Sequence, residues 1–280
     1  LALAMLVAGF GFKISAVPFQ MWTPDVYEGA PTTVTGYLSV ASKAAGFAVL
    51  LRVLELTFGS LTGVWVVVFA AIAVLTMTIG NLLALAQSNI KRMLAYSSIA
   101  QAGYALVGVV AATTFGASAV AFYLLAYTFT QLGAFLAVVS DVRFAPDDTI
   151  EGYSGLHFRN PWLAATLAVS LLSLGGLPPF AGFFSKLYVF WAAIVRGPQE
   201  GGPLYWLVLI GVINSAISLY YYAKIIRQMY LVAPPTDKPV VIPGAHGLAL
   251  ALCVLGMVAL GPFAGAVIAG AEQAARLMVR

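Results

Sequence analysis

The sequence predicts an all-α polytopic membrane protein, and three observations carry that prediction. Of the 280 residues, 61% are hydrophobic and only 9% are charged, and the mean hydropathy is +0.95. A soluble domain has about a quarter of its residues charged, so this chain cannot cover itself for water. Apolar segments of roughly the 20 residues that a helix needs to cross the hydrocarbon recur along the whole chain.

Eight such spans can be placed, separated mostly by short connections. Their predicted bounds are 1–21, 33–57, 61–86, 92–113, 116–139, 161–195, 203–232 and 246–271. The net charge of +4 is spread over the connections and forms no basic stripe, which argues against nucleic acid as a partner. A single cysteine and two histidines far apart in sequence leave little from which to build a metal site.

Two of the spans are predicted to be broken. Pro18 lies inside the first span, and Gly176, Pro178 and Pro179 lie in the middle of span 161–195, which as one straight helix would be about 52 Å long. Proline removes a backbone donor and strains the preceding turn, so carbonyls are left free there. Seven Lys and Arg residues flank the connections on the side where the first span ends and four flank the other side, so the first span is predicted to run inward and span 161–195 outward. This arrangement is typical of an inverted-repeat transporter.

Three lysines lie far from the ends of the predicted spans, namely Lys13, Lys43 and Lys186. Lys43 and Lys186 are each about ten residues from a span end, or about 15 Å deep, which is beyond the reach of a snorkelling side chain. A charged lysine at that depth costs at least about 2.5–3.5 kcal/mol. Because loss of hydration and a nearby cation both favour the neutral amine, such lysines can release and rebind a proton. The sequence therefore predicts a proton relay, with permanently paired structural lysines as the alternative.

Polar side chains on the same spans are candidates for carrying water between the lysines, although each alone is a weak signal because such residues also pack membrane helices. They are Ser42, Tyr96, Ser98, Gln101, Tyr127, Thr130 and Gln131. No Asp or Glu is predicted at mid-membrane, so the partner of Lys13 is expected to come from elsewhere.

Four runs of this sequence resemble one family. The run 11–54, which begins with GFKISAVPFQMWTPDVYEGAP, is similar to the antiporter-like membrane subunits of respiratory complex I, the proton-pumping NADH:quinone oxidoreductase. The similarity extends through NIKRMLAYSSIAQAGYALVG, LSLGGLPPFAGFFSKLYVF and YYYAKIIRQMY. The chain is most similar to the N-type subunit, since Gln131 stands where L- and M-type relatives have histidine or lysine, and Lys186 where the M type has glutamate.

The resemblance implies an antiporter-like fold of fourteen helices, of which these eight correspond to the last eight. The six others would include the helix with the buried glutamate that pairs with Lys13. By motif, Lys13 resembles the central pumping lysine, Lys43 the connecting lysine, and Lys186 the terminal lysine that exchanges protons with the outside. Residues 1–57 would end the first inverted repeat, 61–232 would form the second five-helix repeat, and 246–271 the C-terminal helix.

The function implied is that of a proton-translocating membrane-arm subunit, driven by quinone reduction elsewhere in the complex. It would be a translocase only as part of that enzyme and would have no catalytic residue of its own. FMN, iron–sulfur clusters, NADH and quinone would belong to other subunits. The expected partners are a neighbouring antiporter-like subunit, small membrane subunits and the lipid bilayer, in a bacterial plasma (inner) membrane.

Three alternatives remain open from the sequence. The first is a subunit of a multi-subunit sodium/proton antiporter, or an L- or M-type subunit of complex I. The second is a structural membrane subunit whose lysines only pack. The third, a solute transporter, predicts polar clusters around both breaks, and GGLPPFAG has none beyond Lys186.

Overall fold

The computed structural model describes residues 1–141, 148–198, 201–236 and 238–278, and these ranges are largely helical. The helices are α1 (Ala2–Ile14), α2 (Trp22–Gly29), α3 (Thr32–Tyr37), α4 (Lys43–Phe58), α5 (Thr62–Leu85), α6 (Ile90–Val110), α7 (Thr114–Asp141), α8 (Leu156–Arg159), α9 (Pro161–Gly175), α10 (Ala181–Ile194), α11 (Tyr205–Leu231), α12 (Gly244–Ala259) and α13 (Ala264–Met278). A wide π-helical turn at Leu38–Ser42 joins α3 to α4, and a tight turn at Gly59–Leu61 joins α4 to α5.

Four helical runs are long and apolar enough to cross a membrane, or five if α12 and α13 count as one bent span. The eight predicted spans are therefore not confirmed as a count. One reason is that Thr32–Leu85 forms a single helical run of 54 residues, where two spans were predicted. Another is that α1, α9 and α10 are apolar but shorter than a full crossing.

The first predicted span, 1–21, ends seven residues early. Helix α1 stops at Ile14, because Ser15 takes the left-handed conformation that closes a helix and Pro18 follows. Residues 22–29, which were predicted to be a polar connection, form α2. In the sixth predicted span, α9 ends at Gly175 and α10 begins at Ala181, so the prolines lie between two helices.

The last predicted span, 246–271, is not one straight helix. Helices α12 and α13 meet at 88°. Pro262 lies at the corner, where it can donate no backbone hydrogen bond. Gly261 packs so closely on the carbonyl oxygen of Pro179 that a Cβ there would overlap it. The bend therefore places the C-terminal helices against the break between α9 and α10.

Helix α6 lies at the centre of the molecule, and 94% of the residues in its most apolar stretch are buried. Small residues let α5 approach it closely: a Cβ at Gly80 would lie 2.7 Å from the backbone nitrogen of Ala100, and one at Gly103 would lie 2.6 Å from the Met77 side chain. Close backbone contact through small residues is the usual way that helices pack in a membrane. As a result, polar residues of α6 are held away from lipid, between α5 and α7.

Candidate proton-transfer site

Lys43, the first residue of α4, is buried, with 3% of its surface exposed, in a helical run that is otherwise mostly apolar. It follows directly on the π-helical turn, a distortion that is often found at functional sites. Its Nζ donates to both the carbonyl oxygen and the Oγ of Ser98, each at 2.6 Å. The amine is thus held by neutral oxygens of α6.

Lys186 on α10 is likewise buried, with 5% exposed. Its Nζ donates to the carbonyl oxygens of Leu174 and Gly175 at 2.9 and 3.3 Å, and to Ser215 Oγ at 3.1 Å. The two carbonyls are available because α9 ends at the break, where an ammonium also interacts favourably with the helix dipole. The amine also lies 4.3 Å from the centre of the Tyr104 ring.

Neither lysine has a carboxylate partner within the part of the chain that the structure describes. The ion pairs found there lie near helix ends, between Lys91 and Asp148 and between Arg92 and both Asp25 and Glu28. A lysine without a fixed counter-ion can lose its charge without leaving an unpaired carboxylate behind. Within the described residues, the two lysines are therefore not held in an ion pair.

Polar side chains of α6 and α7 lie between the two lysines. Tyr127 donates to Ser98 Oγ at 2.9 Å, on the Lys43 side. On the Lys186 side, Gln101 Nε2 donates to the Leu174 carbonyl at 3.0 Å, and Tyr123 donates to Gln101 Oε1. The Leu174 carbonyl therefore accepts from both Gln101 and Lys186.

Two small cavities are lined by these side chains. One is lined by Lys43 and the other by Lys186, and Gln101, Tyr123 and Tyr127 line both. Each has a volume of about 10 Å³, near the minimum for one water molecule.

The other predicted residues are placed differently. Thr130 lines the Lys186 cavity, and its Oγ1 lies 3.1 Å from Ser173 Oγ. Gln131 is fully buried, and neither polar atom of its side chain has a partner in the described residues. Ser42 and Tyr96 are half-buried and do not belong to the connection between the lysines.

Lys13 is exposed in the described structure. Its stem covers Gly46, where a Cβ would lie 3.2 Å from Lys13 Cγ. Lys13 therefore packs on α4 one helical turn from Lys43, whereas the cavities that share lining residues are those at Lys43 and Lys186.

Several residues of the site were missed from the sequence. Tyr123 precedes Tyr127 by one helical turn, so the i, i+4 spacing could have placed both on one face. The Tyr222 hydroxyl is hydrogen-bonded to Ser97 Oγ and also accepts from Gln101 Nε2 at 3.4 Å. Its only signal was its place in the YYY run, which does not say which tyrosine points inward.

Comparison with known proteins shows the family of this chain. The model of the family described as NADH:quinone oxidoreductase/Mrp antiporter, transmembrane, matches residues 1–218. The chain belongs to this family. Two curated relatives, both called NAD(P)H-quinone oxidoreductase subunit 2, are from Synechocystis and Nostoc species and are 50% and 51% identical over 241 residues. Each alignment covers 86% of this chain and 45% of the relative, so the chain spans about half the length of these proteins.

Solved structures show the same fold. A chain of respiratory complex I from Thermus thermophilus is 35% identical with a TM-score of 0.79, covering 95% of this chain and 58% of that one. A chain of an archaeal membrane-bound sulfane sulfur reductase is 27% identical with a TM-score of 0.86, covering 99% and 56%. A chain of an Mrp complex from a Dietzia species has a TM-score of 0.89 at 22% identity, covering 99% and 59%, which shows the fold alone.

Proposed function

We propose that this chain forms a proton-conducting part of the membrane arm of an NAD(P)H:quinone oxidoreductase, with Lys43 and Lys186 as the groups that carry the proton. The observation that carries the proposal is the pair of buried lysines without carboxylate partners in the described structure, joined by Ser98, Tyr127, Gln101 and two water-sized cavities. The curated relatives at about 50% identity bear the name of such an enzyme. That name does not favour the alternative of a sodium/proton antiporter or of an L- or M-type subunit.

Each residue has a distinct part in the proposed transfer. A proton that leaves the Lys43 ammonium passes to Ser98 Oγ while Ser98 gives its own proton to Tyr127 Oη. This step requires the hydrogen bond that Tyr127 donates to Ser98 to reverse, so that the original Tyr127 proton passes to water in the cavities. Water in the shared cavities then bridges to Lys186, whose amine is held at the end of α9. A charge brought near either lysine changes its affinity for the proton, so events in a neighbouring subunit can drive the transfer.

Lys13, in this proposal, works with groups outside the described residues. Its exposed position beside Gly46 leaves its amine open to a partner from another segment or subunit. The division of the chain into the end of one inverted repeat, 1–57, a second repeat, 61–232, and a C-terminal helix belongs to the same proposal.

The redox chemistry is proposed to lie in other subunits, which would bind FMN, iron–sulfur clusters, NADH and quinone. The described residues contain no group of three or more His, Cys, Asp or Glu that could hold a metal ion. The proposed partners are a neighbouring antiporter-like subunit, small membrane subunits and lipid, in a bacterial plasma membrane.

The proposal is tested with Lys43→Met and Lys186→Met in the full-length subunit within the assembled complex. Methionine keeps the length and removes the amine, and loss of a proton-transfer group lowers the rate by about 10²–10⁴-fold. Proton uptake into vesicles should fall accordingly, when measured with a pH-sensitive dye and normalised to electron transfer. The control, Lys224→Met, removes an exposed cation from α11 and should pump normally. Normal pumping by the assembled Lys43→Met and Lys186→Met variants would overturn the proposal.

A further inference from the structure

Two asparagines lie buried in otherwise apolar helices and take no part in the connection between the lysines. Asn81 on α5 is fully buried and Asn214 on α11 is 3% exposed. A buried carboxamide without partners is costly, particularly away from water. Their hydrogen bonds therefore show what the two side chains hold in place.

The two asparagines join three helices. Asn81 Nδ2 donates to Tyr104 Oη on α6 and to Asn214 Oδ1 on α11, both at 3.2 Å. Asn81 Oδ1 accepts from Tyr221 at 2.9 Å, and Asn214 Nδ2 donates to Thr78 Oγ1 at 3.3 Å. Every polar atom of the two side chains is thus satisfied, which makes a rigid cluster.

Two contacts of the Lys186 amine rest directly on this cluster. Tyr104, whose hydroxyl is held by Asn81, presents its ring 4.3 Å from Lys186 Nζ. Ser215, which accepts from Lys186 at 3.1 Å, is the residue after Asn214. The cluster thus adjoins the amine through Tyr104 and Ser215.

We propose that Asn81 and Asn214 are positioning residues for Lys186, and that Asn81 acts by holding the Tyr104 ring against the amine. This inference rests on the proposed function, because it assigns the cluster to the terminal lysine of that pathway. An aromatic face attracts an ammonium through its quadrupole and attracts a neutral amine far less. A ring held at this distance therefore favours the charged form of Lys186.

The groups around Lys186 limit what else can set its charge. The titratable side chains that line or adjoin its site are tyrosines, namely Tyr104 on α6, Tyr123 and Tyr127 on α7, and Tyr222 on α11. Helix α9 carries no titratable residue. On α12, the His246 side chain bonds to the Leu136 carbonyl, and Cys253 packs on Gly133. Helix α13 meets α10 through apolar residues, namely Ala264, Val267 and Ile268.

The experiment measures proton pumping against pH in vesicles that contain the assembled complex with the full-length subunit. Tyr104→Leu removes the ring, so the ammonium form is less favoured and the alkaline limb should move to lower pH, by about 0.5–1.5 units. Asn81→Leu and Tyr104→Phe each remove the hydrogen bond but keep the ring, so both should give the same smaller shift. The double variant Asn81→Leu/Tyr104→Phe should then shift no further than either single change.

The controls separate this inference from the proposed function. Thr166→Val removes a buried hydroxyl that bonds within its own helix, and its pH profile should not move. If Lys186→Met stops pumping while assembled Asn81→Leu and Tyr104→Leu keep the unshifted profile, the positioning role is wrong and the proposed function stands. Additive shifts in the double variant would also overturn it. If Lys186→Met pumps normally, the proposed function itself fails. Should Asn81→Leu not assemble, Tyr104→Phe and Tyr104→Leu decide the question by the same shifts.

Discussion

The two helix breaks of this chain share a backbone design and differ in where the lysine stands. Break 1 runs from Ser15 to Phe19 and break 2 from Gly176 to Phe180. Each opens with a left-handed residue, with φ of 63° and 83° respectively, and each contains a cis proline before the phenylalanine. In each, the residue after the left-handed one donates back to a carbonyl of the last helical turn, Ala16 to Gly11 and Leu177 to Leu172. The sequences SAVPF and GLPPF therefore match position by position.

The lysines do not follow this match. Lys186 is ten residues after Gly176, and the residue ten after Ser15 is Asp25, which pairs with Arg92 at 2.8 Å. Lys13 instead precedes break 1 and is exposed. The two breaks thus have the same backbone conformation, but the lysine precedes break 1 and follows break 2.

As a consequence, the two breaks differ in the groups that form hydrogen bonds with their free backbone N–H and carbonyl groups. At break 1 neutral groups do so: Trp22 Nε1 donates to the Phe12 carbonyl at 3.1 Å, and Val17 N–H donates to Thr76 Oγ1 at 3.0 Å. At break 2 the lysine itself donates to the Leu174 and Gly175 carbonyls. The amine of Lys186 is therefore part of the structure of break 2, whereas break 1 is complete without Lys13.

The largest expected effect is at Gly182, which allows α10 to lie against α9 after break 2. A Cβ at this position would overlap the carbonyl oxygen of Ser173. The side-chain Oγ of Ser173 also accepts a hydrogen bond from Gly182 N–H at 3.1 Å. Gly182→Ala should destabilise the subunit by about 3 kcal/mol or more. The matched change Gly9→Ala, in α1 with open space around it, should alter stability by less than about 1 kcal/mol. Thermal unfolding of the purified complex measures both, and a well-assembled Gly182→Ala variant would contradict the close contact.

The next largest effect is expected for Thr76→Val, which tests whether the hydrogen bond from Val17 N–H to Thr76 Oγ1 stabilises break 1. The change keeps the shape but leaves the buried Val17 N–H without its acceptor, at a cost of about 1–3 kcal/mol. Thr128→Val is the control, because the Thr128 hydroxyl bonds only to a carbonyl of its own helix at 2.7 Å. Equal melting temperatures for the two variants would mean that break 1 does not depend on α5.

Gly176→Ala addresses the opening residue of break 2. A non-glycine residue at this positive φ costs about 1–2 kcal/mol, and the new Cβ would lie 3.0 Å from Lys186 Cδ. We expect both lower stability and slower proton pumping, because the stem of Lys186 must move. Loss of stability with unchanged pumping per assembled complex would separate the break from the lysine.

The smallest effect is expected for the equivalent residue of break 1. Ser15→Gly relieves a left-handed non-glycine residue but removes the hydroxyl that accepts from Thr23 at 2.8 Å. The two contributions oppose each other, each being about 1 kcal/mol, so the net change in unfolding free energy should stay within about 0.5 kcal/mol. A loss above 2 kcal/mol would show that break 1 is as tightly constrained as break 2.

The sequence predicted the membrane class and the approximate positions of both breaks, because composition and proline act locally. It missed the corner between α12 and α13, although Pro262 was visible, because a single Gly-Pro pair in an apolar run does not show whether the helix kinks or turns. It also predicted three lysines far from the ends of their spans, without showing which of them are enclosed. Position along one helix does not say which face is covered, so Lys13 and Lys43 could not be told apart.

What the sequence by itself determined is that cationic side chains occur where hydration is poor, and that the backbone near two of them is interrupted. Only the tertiary structure decided which of them are enclosed and what they bond to. Lys43 reaches Ser98 across 55 residues of chain, and Asn81 reaches Asn214 across 133. Contacts over such separations depend on how the helices rotate and pack against each other, and that is fixed by the whole set of side chains rather than by any local pattern.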